Sequence, residues 1–170
     1  MNIDQGTILT AIFFLLLCTI PFILLNLSHR KKVKQNLKLL KHEAGKSNLT
    51  VAKFNTWGNT SIGIDETANI FFFTKKTTDG KTAQQVALAE TEKCRIANIK
   101  RTSFDGSEHY SITERLDLVL EIKDRKQMEI TFPFYDIQYD GGMLTGELQQ
   151  AEKWCSIIND KIASIAQKKQ

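Results

Sequence analysis

Apolar and polar positions alternate with three different rhythms along this chain, and each rhythm predicts an element. From Gln5 to Ser28 no charged side chain occurs, and Ile8 to Leu27 is a nearly unbroken apolar run. About twenty residues at 1.5 Å each match a bilayer's hydrocarbon, so this run reads as a transmembrane helix. Pro21 falls inside it, and a hydroxyl such as Thr19 is a candidate to meet the carbonyl freed near Leu17. A cleaved leader is the competing reading. Asp4 stands where a leader would be basic, the run is long for one, and no small-x-small site follows.

Next, Val33, Leu37, Leu40 and Ala44 recur at helical spacing in an otherwise basic segment ending near Gly45. This predicts a stalk helix lying near lipid headgroups. Three turns are too few to hold a coiled coil alone, although a homo-oligomer through anchor and stalk is allowed. The period then shortens to two. "SIGID" and "NIFFFTK" flank the turn-forming "DETAN", "TTDGK" leads into "QQVALAE", and "KCRIANIKR" is a further strand. Leu116, Leu118, Leu120 and Ile122 alternate with polar neighbours, as do Met128, Ile130, Phe132 and Phe134, so the two runs predict an antiparallel hairpin joined by "KDRKQ". Pro133 cannot donate to a ladder, which places it at a strand end or an edge. After Gly141-Gly142 the helical period returns at Leu148, Ala151, Cys155, Ile158, Ile162 and Ile165, widened by Trp154 and Ile157. Thr145 is the expected N-cap, with Glu147 in the first turn and Lys168 and Lys169 near the end.

Charge sharpens this division. The net charge of +4 is local: residues 29–46 carry seven basic side chains against Glu43 alone, whereas 47–170 carry 16 basic and 17 acidic ones. A domain without basic excess does not fit a phosphate backbone, so nucleic acid is not an expected partner. Arg30, Lys31, Lys32, Lys34, Lys38 and Lys41 are the expected contacts with an anionic membrane surface. By the positive-inside rule they also orient the anchor, with the N-terminus outside an inner membrane and the C-terminal domain cytoplasmic. The expected organisation is an anchor over 1–28, a basic juxtamembrane helix over 29–48 and one domain over 49–170.

The order of elements in that domain, six or seven short antiparallel strands and then an amphipathic helix bearing a Trp, resembles a pleckstrin-homology-like (PH-like) fold. "WGNTSIGIDETANIFFFTKK" resembles the opening hairpin of bacterial PH-like domains. The likeness continues through "LAETEKCRIANIKRT" and "LDLVLEIK…MEITFPF" to "AEKWCSIINDKI", covering residues 55–166. It implies an α+β domain: an antiparallel β-barrel or sandwich capped by the C-terminal helix. It also implies a protein-interaction or assembly role, through open sheet edges or a groove beside the helix. Lipid-binding members gather basic residues in the loop after the first strand, where this chain has acidic Asp65 and Glu66. The next loop is basic, with Lys75, Lys76 and Lys81 around Asp79-Gly80, a candidate headgroup or partner contact. A lipid-surface sensor using this loop with the stalk is the alternative function.

Catalytic chemistry has little to stand on. Cys18, Cys94 and Cys155 show no paired or zinc spacing, and Cys155 on the apolar stripe reads as a small hydrophobe. His29 and His42 lie in the basic segment, and His109 beside Cys94 would lack an orienting partner. "HEAGKS" imitates the end of a phosphate loop, but Leu40 stands where its first glycine belongs. No enzyme activity, catalytic residue, metal or cofactor is expected; the expected partners are membrane lipids and an unidentified protein.

Overall fold

The computed structural model describes residues 5–168 except 79, 106–107, 124–127 and 143. Side chains at 5–12, 21–29, 103–105 and 108–110 are likewise outside the description. The chain is α+β, with two antiparallel sheets, a long first helix and a C-terminal helix.

Helix α1 runs from Gln5 to Lys46, about 63 Å at 1.5 Å per residue. It passes through Pro21 and through the expected boundary at 28/29 without a break. Among the described residues no helix is long and apolar enough to cross a membrane, so no single-pass anchor is shown. This corrects the expected inner-membrane localisation and transmembrane segment. The exposed apolar run with described side chains, Phe13–Ile20, is only eight residues, about 12 Å against roughly 30 Å of hydrocarbon. The remaining positions of the expected span, 8–12 and 21–27, lie outside the described side chains. Thr19 donates to the carbonyls of Leu15 and Leu16 (2.9 and 3.3 Å), not to that of Leu17.

The helix ends where the chain reverses hand. Asn48 takes φ 55°, the Leu49 amide donates to Ala44 O (3.0 Å) and the Asn48 amide to Gly45 O (3.1 Å). That pattern satisfies the last carbonyls and turns the chain toward the sheet.

Strands β1 (Lys53–Trp57), β2 (Thr60–Asp65), β3 (Ile70–Thr77) and β4 (Gly80–Ala87) form one sheet in sequence order. Strand β1 has no clean alternation, and its motif "KFNTW" carried no strand signal. A two-residue turn joins β1 to β2, with Gly58 at φ 48°, a left-handed conformation that suits glycine. A 3-10 turn, Leu88–Glu90, leads to the second sheet. That sheet contains β5 (Thr91–Asp105), β6 (Glu108–Ile122) and β7 (Glu129–Asp136), also in sequence order. The sheets stay separate, so the expected barrel or sandwich is corrected to two open sheets packed on a shared core, with no closed barrel. Closure would require ladder pairing both between β4 and β5 and between β1 and β7, and each of these is an edge strand.

Residues 116–122 pair antiparallel with the second alternating run, and Pro133 lies on an edge strand beside a register shift. The irregularity places both Phe134 and Tyr135 inside, which strict alternation does not anticipate. Ile62, Ile64, Phe71 and Phe73 of the first sheet face Leu116, Leu118, Phe132 and Phe134 of the second. Phe71 meets Phe132 edge to face at 5.1 Å.

Helix α3 (Glu147–Gln167) covers this core with Ala151, Trp154, Ile158, Ile162 and Ile165. Trp154 is therefore central, while Leu148 and Cys155 flank the buried row. Its N-cap is Gly146 at φ 126°. Thr145 instead receives help: its amide donates to Glu147 Oε2 (2.6 Å).

The apolar stripe of the basic segment has a partner within the chain. Leu40 and Ala44 are buried against Phe72, with Leu37, Leu49 and Val51 beside them. The stripe expected to lie near headgroups, or to meet a second copy, packs on the outer face of the first sheet. Gly63 makes that approach possible, because a Cβ there would lie 2.3 Å from Val51 Cγ1 and 3.2 Å from Leu40 Cδ2. Asn36, also buried, donates to Gly58 O at 3.0 Å and fixes the helix against the β1–β2 turn.

Candidate binding cleft

Where α1 crosses the β1–β2 turn, a cleft of about 710 Å³ opens between four separate parts of the chain. Lys32 and Val33 form one wall and Trp57–Thr60 another. The end of β7 and the short helix α2 (Ile137–Asp140) form the third, and the start of α3 closes the fourth. Its size is within the range of ligand and peptide pockets.

Its lining combines aromatic rings with two carboxylates, Asp140 and Glu147, and one lysine, Lys32. Trp57 packs on Phe134 with centroids 4.9 Å apart, and its indole nitrogen is buried without a hydrogen-bond partner among the described residues. Tyr135 donates its hydroxyl to Gly142 O. Burial, then the charges of Asp140, Glu147 and Asp136, raise its pKa, so the hydroxyl stays a donor. Tyr139 lies at the rim, 42 % exposed. Asp136 caps α2 by accepting from the Gln138 amide (2.9 Å), and Asp140 accepts from the Asp136 amide (2.8 Å).

Lys75 is the floor of the neighbouring hollow, about 410 Å³, which also touches Lys81, Arg115 and Tyr139. It was expected in a basic loop. Instead it continues the inward alternation of Phe71 and Phe73, is 2 % exposed, and binds Asp140 (2.6 Å) and Pro133 O (3.3 Å). A buried ion pair of this kind is a structural tie: removing one partner strands the other charge, at about 3–5 kcal/mol. Lys81 pairs with Glu43, whose carboxyl is held down at about 2 first by the hydrogen bond from Lys81 and then by that from Lys46. Lys76 is exposed. The expected basic loop thus places one lysine inside, one in a contact to α1 and one in solvent; Asp79 lies outside the described residues. Arg30, Lys31, Lys32, Lys34, Lys38 and Lys41 are all exposed along α1, and Lys41 lies 5.8 Å from the Phe54 ring centroid.

The acidic loop after β2 is not a solvated patch either. Asp65 is buried and accepts from the amides of Thr50, Thr67 and Ala68 at 2.7, 2.8 and 2.9 Å. Those bonds, led by Ala68 and Thr50, lower its pKa.

Cys94 is buried beside Cys155. The side chains of His109 and His29 lie outside the described residues. Among the described residues no group of three His, Cys, Asp or Glu side chains is placed to hold a metal ion.

Sequence reading missed Trp57, Asn36, Tyr139 and Asp140. Their only signals were the turn pair Gly58-Asn59 and the run "QYDGG", which mark loops without saying that they meet. No known protein family, curated protein or solved structure matches the chain.

Proposed function

We propose that this chain is a protein-interaction module, and that its docking site is the cleft between α1, the β1–β2 turn, α2 and the start of α3. The observation that carries this reading is the cleft's composition: Trp57 and the exposed Tyr139 stand beside Asp140 and Glu147, while Tyr135 is buried. Aromatic faces next to carboxylates favour a basic side chain, by cation–π attraction and by charge. The charge of Asp140 is offset by Lys75, while Glu147 makes no ion pair among the described residues, so Glu147 supplies the attraction on the α3 wall, with the cation Lys32 on the α1 wall. A partner segment presenting Arg or Lys is the occupant with matching chemistry. The resemblance to bacterial PH-like domains supports a binding role through its order of elements alone.

The lipid-sensor reading loses its loop, because Lys75 and Lys81 have partners inside the chain. A photo-crosslinking residue at Tyr139, compared with one at Met128, tests the proposal in the native cell. The two positions flank opposite ends of β7, about 25 Å apart for eight residues. We expect one discrete protein adduct from position 139 that is lost on Glu147→Lys. Equal labelling from both positions, or adducts with lipid alone, would overturn the assignment.

A further inference from the structure

Cys94 and Cys155 are 61 residues apart, and nothing in their spacing pairs them. The fold does. Cys94 lies near the start of β5, an edge strand of its sheet, and Cys155 lies on the face of α3 turned toward that edge. The Cys155 thiol donates to Cys94 O at 3.3 Å.

Asn159, one turn further along α3, locks this arrangement. Its Oδ1 accepts from the Cys94 amide (2.9 Å) and its Nδ2 donates to Cys94 O (3.0 Å), so one side chain takes both bonds that a neighbouring strand would make. The same Nδ2 lies 3.6 Å from Cys155 Sγ. Strand and helix are therefore pinned together at the residue that carries one thiol, one helical turn from the residue that carries the other. Cys18, the third thiol, is on α1 and exposed.

We propose that Cys94 and Cys155 are an oxidation site, closing to an intramolecular disulfide that staples β5 to α3. The oxidant is a small-molecule disulfide. Cys155, half-buried, is the thiol it reaches. The Cys155 thiolate attacks one sulfur of the oxidant, forming a mixed disulfide and releasing the first small thiolate. Cys94 then gives up its proton and attacks Cys155 Sγ, forming the Cys94–Cys155 bond and expelling the second small thiolate. Two protein thiols are oxidised, one small disulfide is reduced to two thiols, and the two protons end on the released thiols. Burial, followed by the neighbouring Cys155, pushes the Cys94 thiol well above its ordinary range. Cys94 is thus the resolving partner and closure is the slow step.

The test is oxidation of the full Cys18→Ser chain with glutathione disulfide, followed by intact mass and peptide mapping. We expect a product lighter than the reduced chain by two hydrogens, with the peptides of Cys94 and Cys155 joined, reversed by dithiothreitol. Cys94→Ser should stop at a glutathione adduct on Cys155, and Cys155→Ser should not react. Circular dichroism confirms that each variant is folded, and Cys94→Ala replaces Cys94→Ser if the serine variant is not. The oxidised chain should melt at least about 5 °C above the reduced one. A lasting glutathione adduct in the Cys18→Ser chain, unreacted thiols after prolonged exposure, or a lower melting point on oxidation would overturn the proposal.

Discussion

The outer faces of the two sheets solve one problem in opposite ways. On the first sheet, Gly63 leaves a notch opposite Phe72, and α1 fills it with Leu40 and Ala44. On the second, no helix among the described residues covers the face turned away from the core, and charged side chains bridge it. Arg95 binds Glu121 on β6 (3.1 Å) and Glu129 on β7 (2.7 Å), and Arg115 binds Asp117 (2.8 Å). Val119, directly opposite Arg95 in the ladder, is only 3 % exposed even so. The stem of a long cation can cover an apolar position while its head stays wet. The contrast teaches that a helix-covered face depends on shape, and so is intolerant of change. A face covered by flexible charged chains depends on many weak contacts.

The largest effect should come from the helix-covered face. Leu40→Ala removes a fully buried side chain whose neighbours include backbone that cannot collapse, and should cost about 2–5 kcal/mol in urea unfolding. Gly63→Ala should follow at about 1–3 kcal/mol, because the new Cβ meets Val51 Cγ1 and also Lys53 O at 3.0 Å. A small loss in both variants would mean that α1 does not seat in the notch.

The third prediction concerns acid. The folded pKa of Asp65 is lowered from its ordinary value of 3.8. Its contribution is complete above that value and is lost as pH falls through the lower folded value. Asp65→Asn should therefore destabilise the chain at neutral pH and flatten the fall of stability below pH 4. An unchanged acid titration of stability would refute the role given to this carboxylate. The smallest effect belongs to the charge-covered face: Arg95→Ala should cost under about 1 kcal/mol, since Arg95 is partly exposed and screened. A loss as large as that of Leu40→Ala would erase the distinction between the faces.

Much of this architecture was legible where periodicity is local. The alternation over 116–122 and the helical spacing after Gly146 follow from one element each facing one core. The barrel failed because closure is a matter of edge pairing, which no local pattern encodes. The receiver of the apolar stripe on α1 was hidden for a similar reason. Val33, Leu37, Leu40 and Ala44 declare an apolar stripe, but the surface that receives it is created by Gly63 and Phe72, far along the chain. Lys75 looked like a loop residue because its neighbours are polar. One more step of the inward alternation would have placed it beneath β7, though not beside Asp140, 65 residues later. The cleft was the least legible feature, since its four walls come from segments whose only common property is where the fold leaves them.

The carboxylate of Asp65 reaches beyond its own turn. One acceptor holds amides on both sides of β2: Thr50, where the chain leaves α1, and Thr67 and Ala68, where it enters β3. Two connections that are remote along the backbone therefore share a single fastening. In deuterium exchange these three amides should behave as one unit, opening with the same rate and losing protection together when Asp65 is replaced. The departure of α1 from its notch and the loosening of the β2–β3 turn would then be one motion seen from two ends.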